Sequence, residues 1–168
     1  QPHKYKQIFP LVQRISQLYQ SLLPDYFKKQ NKKAKQTLFK IPKTCFTTIT
    51  TNINFQTSIH KDRGDDDEGF GNLVVMERGK YEGGETCLPQ YGFGVNVREG
   101  DLLFMNVHEW HGNLPILIKD KDAVRMSIVC YLRKNVWART KHMNATMKKK
   151  HLNLLKDMKF HKKTMKKV

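Results

Sequence analysis

The sequence predicts a mainly β, α+β fold, a sandwich or barrel of short antiparallel strands held between basic helical flanks. Three observations carry this. From Thr44 onward, β-branched residues crowd into short runs separated by Gly-rich or charged turns, with no helical periodicity between them. Before and after that region the apolar residues return at helical spacing. Charge divides the same way: residues 1–43 carry ten Lys or Arg against one acidic residue, 133–168 thirteen against one, and 44–132 eight against thirteen, within a formal net charge of +16. At 168 residues the chain is the size of one domain.

Between Gln7 and Leu23, the residues Leu11, Ile15, Leu18 and Leu22 form the stripe of an amphipathic helix, which tolerates Pro10 in its first turn. Pro24 ends or restarts that helix, and Asp25 offers an N-cap to a second, basic helix carrying Lys28, Lys29, Lys32, Lys33 and Lys35. Pro42 closes the segment. The run from Cys45 to His60 reads as two strands or one long bent strand, with Asn54, Gln56, Ser58, His60 and Asp62 on one face by period two. A polar inner face suits a barrel lined by a reaction site. The loop DRGDDDEGFG has neither the ligand spacing nor the flanking helices of an EF-hand, and is expected to be a solvated turn apart from Asp65. NLVVMERG, GGETCLP, GFGVNVREG, DLLFMNVHEWHG and DAVRMSIVCYLR are short strands, with a loop from Ile118 to Asp122 beside the site. After Arg133, Trp137, Met143, Met147, Leu152, Leu155 and Met158 among lysines make one or two basic amphipathic helices, the methionines serving as packing. Past Phe160 the tail HKKTMKKV is expected to lack fixed structure.

Within the strand region four residues carry chemistry. His60 and Asp62, two apart on a strand, face one side, and His111 joins them from a distant strand, with His108 as the competing donor. Two imidazoles and one carboxylate, with other positions open, are the donor set of a non-haem Fe(II) site and not of a closed structural zinc site. Arg125, planar and always charged, suits a bidentate grip on a carboxylate such as 2-oxoglutarate presents. Each residue alone is commonplace, since a His-x-Asp pair is more often a surface turn and a lone histidine a structural one. Their order carries the reading: His-x-Asp after a β-rich run, a Gly100-Asp101 turn opening an apolar strand, His111-x-x-x-Pro115, then Arg125-x-Ser127.

Cys45, Cys87 and Cys130 show no C-x-x-C pairing, which fits a reducing compartment and a role as buried small hydrophobes. No apolar run approaches the roughly 18 residues of a membrane span, and no signal stretch opens the chain. An intracellular protein without a membrane partner is expected; the chain begins at Gln1 and not Met, as an excised domain would. An acidic middle between basic flanks points to a polyanionic partner held by the periphery.

Taken together, these residues resemble the 2-oxoglutarate and Fe(II)-dependent dioxygenases, and within them the TET/JBP group that oxidises the 5-methyl of pyrimidines in nucleic acid. The resemblance runs roughly from Phe46 to Arg133, through FTTITTNINFQTSIHKDRGD, the GFGNLVVMERGKYEGGETCLPQYGFGVNVREGDLLFMNVHEWHGNLPI run and RMSIVCYLR. It implies a single dioxygenase domain over 1–168: a helical flank over 1–43, a double-stranded β-helix (jelly-roll) core over 44–133, and a helical flank with basic tail over 134–168. It implies Fe(II) on His60, Asp62 and His111, the last preferred to His108 for its His-x-x-x-Pro pattern, and 2-oxoglutarate on Arg125 with Ser127 beside it. With O2 as oxidant, the products include succinate and CO2. A base in a duplex must be flipped out to be reached, and the basic flanks then hold phosphates. The implied partner is nucleic acid, DNA foremost, bound by a monomer in a nuclear or DNA-associated setting.

The resemblance also singles out residues that meet the base. Asp65 lies three residues after Asp62, where the group places a polar residue at the pairing edge. Arg133 lies eight residues after Arg125, where TET enzymes carry a histidine; arginine only donates, which suits a thymine carbonyl better than a cytosine amine. Tyr131, on the same strand face, packs against the ring. Oxidation of thymine to 5-hydroxymethyluracil is therefore favoured over 5-methylcytosine oxidation. A protein or small-molecule substrate, and a module that binds modified DNA without turnover, are the rivals.

Overall fold

The computed structural model describes the backbone of residues 2–165 and the side chains of residues 3–156. Helices α1 (Pro2–Gln7), α2 (Phe9–Leu22) and α3 (Pro24–Ala34) precede strands β1 (Thr48–Ile53), β2 (Gly71–Arg78), β3 (Tyr81–Gly83), β4 (Thr86–Leu88), β5 (Phe93–Val95), β6 (Leu102–Met105), β7 (Gly112–Asn113), β8 (Ile116–Ile118) and β9 (Val124–Tyr131). Helices α4 (Lys134–Thr140) and α5 (Ala145–Met165) follow. The strands form a four-stranded sheet in the order β1-β9-β2-β6, a three-stranded sheet β5-β4-β7 and a β3-β8 ribbon, all antiparallel.

The period of two in β9 organises the molecule. Met126, Ile128 and Cys130 face the helices, where they pack with Val12, Ile15 and Tyr19 of α2, Ala34 of α3 and the intervening Cys45 and Phe46. Arg125, Ser127, Val129 and Tyr131 face the other way and line a cavity, whose far wall includes Thr86 of β4 with Gly112 and Asn113 of β7. One face of the large sheet is thus hydrophobic core and the other is site. Tyr19 fastens the two layers, stacking on Phe104 with centroids 5.4 Å apart and accepting the Phe70 N–H at 3.1 Å.

Several sequence expectations shift. The buried face of α2 is Val12, Ile15, Ser16 and Tyr19, not the Leu11, Ile15, Leu18, Leu22 stripe, and Leu22 is 62% exposed. Counting aliphatic residues missed Ser16, whose hydroxyl accepts the Cys45 N–H at 3.2 Å, so that a polar group can be buried there. Pro24 opens α3 from a Leu23 cap position and Asp25 sits in the first turn without capping. β1 stops at Ile53, and Asn54 takes φ 46°, a left-handed conformation that asparagine tolerates. The Asn54 N–H donates to the Arg125 carbonyl while its side chain bonds the Arg125 N–H and the Ala123 carbonyl, so the polar run from Asn54 to Asp62 is not one strand face. The segment expected as a loop from Ile118 starts with the end of β8, and residues 119 and 120 bond back to Lys80 and do not line the cavity. The acidic loop is only half solvated: Asp65 and Asp66 are buried, and Asp66 takes the Lys33 ammonium of α3 at 2.5 Å. The C-terminal tail is helical as far as Met165, and the remainder of that expectation lies outside the described residues. Cys45 and Cys130 are buried, and their thiols are pushed up to about 12 by desolvation; Cys87 is only half-buried.

Candidate active site

The cavity between the two sheets has a volume of about 330 Å³ and is lined by His60, Asp62, Asp65, His111, Arg125, Ser127, Tyr131 and Arg133, every residue the sequence singled out as a site. The two histidines meet by backbone pairing. His60 and His111 form an isolated antiparallel bridge, exchanging N–H···O bonds of 2.8 and 2.9 Å, so directly opposed residues present side chains to the same side. Asp62 is anchored next to them by its N–H to the Val107 carbonyl at 2.9 Å.

Each imidazole is oriented by the carbonyl two residues before it. His60 Nδ1 lies 2.7 Å from the Ser58 oxygen and His111 Nδ1 2.8 Å from the Glu109 oxygen. A carbonyl only accepts, so each Nδ1 is a donor and each Nε2 is the ring nitrogen left to face the cavity. Both Nε2 atoms turn to the Asp62 carboxylate, at 3.4 Å from His60 and 3.9 Å from His111, and one donor atom from each of the three residues lies within 4.8 Å of the others. Two oriented imidazole Nε2 atoms and one carboxylate fit a divalent transition metal with open positions. His108 is not in this group; its Nε2 faces the Asp66 carbonyl and the Asp67 carboxylate instead.

On β9, Arg125 is 5% exposed, and its Nε is buried without a hydrogen-bond partner. An orphaned guanidinium N–H in a cavity fits a ligand carboxylate. Gly84 makes room for it, since a Cβ there would come within 2.9 Å of that Nε. Ser127 lies two residues on and lines the same wall. Tyr131 takes its place through its hydroxyl, which lies 3.2 Å from Thr50 Oγ1 and accepts from Arg133 Nη1 at 3.3 Å. Asp65 pairs with Arg133 in a second isolated bridge. Burial raises the Asp65 carboxyl to about 7, with Asp62 adding to the rise and His108 and Arg133 opposing it, and its Oδ2 has no partner.

Sequence reasoning missed Gly84 and Asn113 here, and placed Asn54 on a polar strand face when its side chain instead holds the backbone of Ala123 and Arg125. Asn113 Oδ1 accepts from Thr57 N–H at 2.8 Å and Thr57 hydroxyl at 2.7 Å, tying the segment before His60 to the strand after His111. The HGN and GGE runs were visible, but a polar residue that acts by holding backbone leaves no spacing signal.

The Tet_JBP profile, described as the oxygenase domain of the 2OGFeDO superfamily, matches residues 1–134. The chain is 34% identical over 132 residues to the thymine dioxygenase JBP1 of Trypanosoma brucei brucei, covering 77% of this chain and 16% of that protein. It is 34% identical over 146 residues to the bifunctional helicase and thymine dioxygenase JBP2 of Leishmania tarentolae, covering 87% and 13%. The chain therefore spans roughly a seventh of the length of these curated relatives. Among solved structures it superposes on NgTET1 in complex with 5mC DNA with a TM-score of 0.59 at 16% identity, over 75% of this chain and 50% of that one.

Proposed function

The chain belongs to the Tet_JBP oxygenase family of the 2OGFeDO superfamily, and from that premise we propose that it is an Fe(II)/2-oxoglutarate dioxygenase that oxidises the 5-methyl of thymine in DNA to 5-hydroxymethyluracil. The superfamily implies Fe(II), 2-oxoglutarate and O2. The observation that carries the reading is the convergence, in one cavity, of the His60 and His111 Nε2 atoms on Asp62 with a partnerless Arg125 Nε. In this reading His60, Asp62 and His111 hold the iron, and Arg125 and Ser127 hold 2-oxoglutarate. When bound, iron with 2-oxoglutarate and O2 supplies the oxidation that turns a methyl C–H into C–OH, releasing succinate and CO2.

The chain's own residues position and desolvate the base. Leu73, Met105, Val107 and Val129 give the cavity apolar walls that exclude water from the methyl. Asp65, with a carboxyl near neutrality, can accept from thymine N3–H or donate to a carbonyl. Arg133 donates to a pyrimidine carbonyl, and Tyr131, fixed between Thr50 and Arg133, packs against the ring. Thymine is favoured over 5-methylcytosine by the donor character of Arg133 and by the thymine dioxygenase relatives; the 5-methylcytosine DNA neighbour supports the second reading.

The same reading takes residues 1–168 as one dioxygenase domain, with the two facing sheets over 44–133 as a double-stranded β-helix and the helices of 1–43 and 134–168 as basic flanks. It takes the protein as a monomer acting on DNA in a nuclear or DNA-associated setting. Among the described residues no helix is long and apolar enough to cross a membrane.

Incubating the protein with Fe(II), 2-oxoglutarate and otherwise identical oligonucleotides carrying thymine or 5-methylcytosine, followed by nucleoside mass spectrometry, tests this. Formation of 5-hydroxymethyluracil with matching succinate is expected, with loss of thymine preference in Arg133→His. Preference for 5-methylcytosine overturns the base assignment, and DNA binding without any turnover leaves a non-catalytic module.

A further inference from the structure

The residues between and beside the metal-binding positions have their own geometry. His60, Asp62 and His111 line the cavity, and the residues alternating with them, Ile59, Lys61, Arg63 and Trp110, line a second trough on the same segments, which His60 and Asp62 border as well. His108 and Lys134 complete it. Trp110 is 48% exposed and Ile59 58%, a large flat apolar ring and a branched side chain left in water beside the reaction centre.

The Trp110 backbone is held in place, and a cation flanks its ring. The Trp110 backbone N–H donates to Gln90 Oε1 at 3.3 Å, and the Lys61 ammonium lies 5.4 Å from the ring centroid. Of the two acids in the trough, Asp67 is taken by Lys134 at 2.6 Å and Asp62 faces the Nε2 atoms of His60 and His111, and neither makes an ion pair with Lys61 or Arg63. An exposed aromatic face flanked by surplus cations matches the platform on which a nucleobase stacks while its phosphate is neutralised. A protein partner would call for a broad apolar patch depleted of charge, which this is not.

We propose that this trough seats a nucleotide neighbouring the one whose base enters the cavity, its base stacked on Trp110 and its phosphate held by Lys61 and Arg63. The proposal rests on the reading of the substrate as nucleic acid. On seating, the base takes the ring face and the Lys61 ammonium moves from the ring to the phosphate, which its flexible stem allows. Because Trp110 adjoins His111 and Lys61 lies between His60 and Asp62, the platform is built on the same backbone as the reaction centre, so a seated neighbour sets the register of the target.

The test uses a short single-stranded oligonucleotide of adenine and unmethylated cytosine, which contains no oxidisable methyl, with the protein free of iron. In a Trp137→Phe background Trp110 is the remaining tryptophan of the two, and its emission should be quenched in step with binding. Trp110→Ala should weaken binding roughly tenfold, the scale of losing one stacked base, Trp110→Phe should restore most of it, and Lys61→Glu with Arg63→Glu should flatten its salt dependence. Binding unchanged in Trp110→Ala, absent quenching, or no binding by the parent protein overturns the platform. Oxidation of thymine oligonucleotides is scored separately, so platform and activity can each fail without the other.

Discussion

At the scale of single residues, the decisive fact is that His60 and His111 are opposed in one hydrogen-bonded bridge, whereas His108, three residues earlier, points at the acidic loop. His60→Ala, Asp62→Ala and His111→Ala should each lower Fe(II) affinity by more than about a hundredfold, since loss of even an orienting partner costs about 10–100-fold, and His108→Ala should retain one equivalent. Anaerobic titration decides it: one equivalent bound by His111→Ala and none by His108→Ala would make His108 the third ligand. Asp65 makes a pH prediction. Its carboxyl stands at about 7 in the folded protein against an ordinary 3.8, so the folded state favours the protonated form. Sign follows from proton uptake: stability from this group is full below about pH 4 and declines as pH rises towards 7. In iron-free protein, Asp65→Asn should remove that decline and raise stability at neutral pH by on the order of a few kcal/mol. Denaturant midpoints with the same pH dependence in both proteins would show that Asp65 does not titrate this way.

At the scale of elements, α3 and the acidic loop are one unit. Lys33 binds both Asp66 and Glu68, at 2.5 and 2.8 Å, and Asp66 is fastened to the end of β9 by its N–H to the Leu132 carbonyl at 2.9 Å. The loop carries Asp65, so a helix contact fixes a residue of the cavity. Burial lowers the Lys33 pKa, but the two carboxylates more than offset this and hold it above the ordinary lysine value. Lys33→Met should cost about 2 kcal/mol, less than the roughly 3–5 kcal/mol of a fully buried pair because the ammonium keeps some water. Lys33→Met with Asp66→Asn should recover part of that loss in urea unfolding. Full additivity of the two changes would mean the pair contributes no coupling.

At the scale of the whole molecule, the charge of the flanks acts over a longer range than any one hydrogen bond. Lys28, Lys29 and Lys32 belong to α3 and Lys149 and Lys150 to α5, and all five are exposed, whereas Lys33 is committed to the acidic loop and is not available to phosphates. Binding to DNA should weaken steeply with salt, and reversing the charge of Lys28, Lys29 and Lys32 should reduce the slope of log K against log salt by about 0.9 for each phosphate no longer neutralised. Equal slopes in parent and variant, measured by fluorescence anisotropy on one duplex, would leave those lysines as a solvated surface only.

Residue order alone was enough to read the mainly β centre between basic helices, because period-two and helical spacing are local properties of the chain. It also picked out His60, Asp62, His111 and Arg125, because their chemistry is unusual and their sequence order is that of the family. Tertiary structure decided the rest. Whether Val12 or Leu11 is buried depends on what α2 packs against, and Asp66 can be buried as a charge only because Lys33, 33 residues earlier, reaches it. Asn54, Gly84 and Asn113 act through backbone bonds and clearance across the sheet, and such roles exist only once distant segments meet. Convergence of the two histidines has the same origin: 51 positions apart in sequence, they are brought into one bridge by the pairing of a short segment with the strand end beside β7.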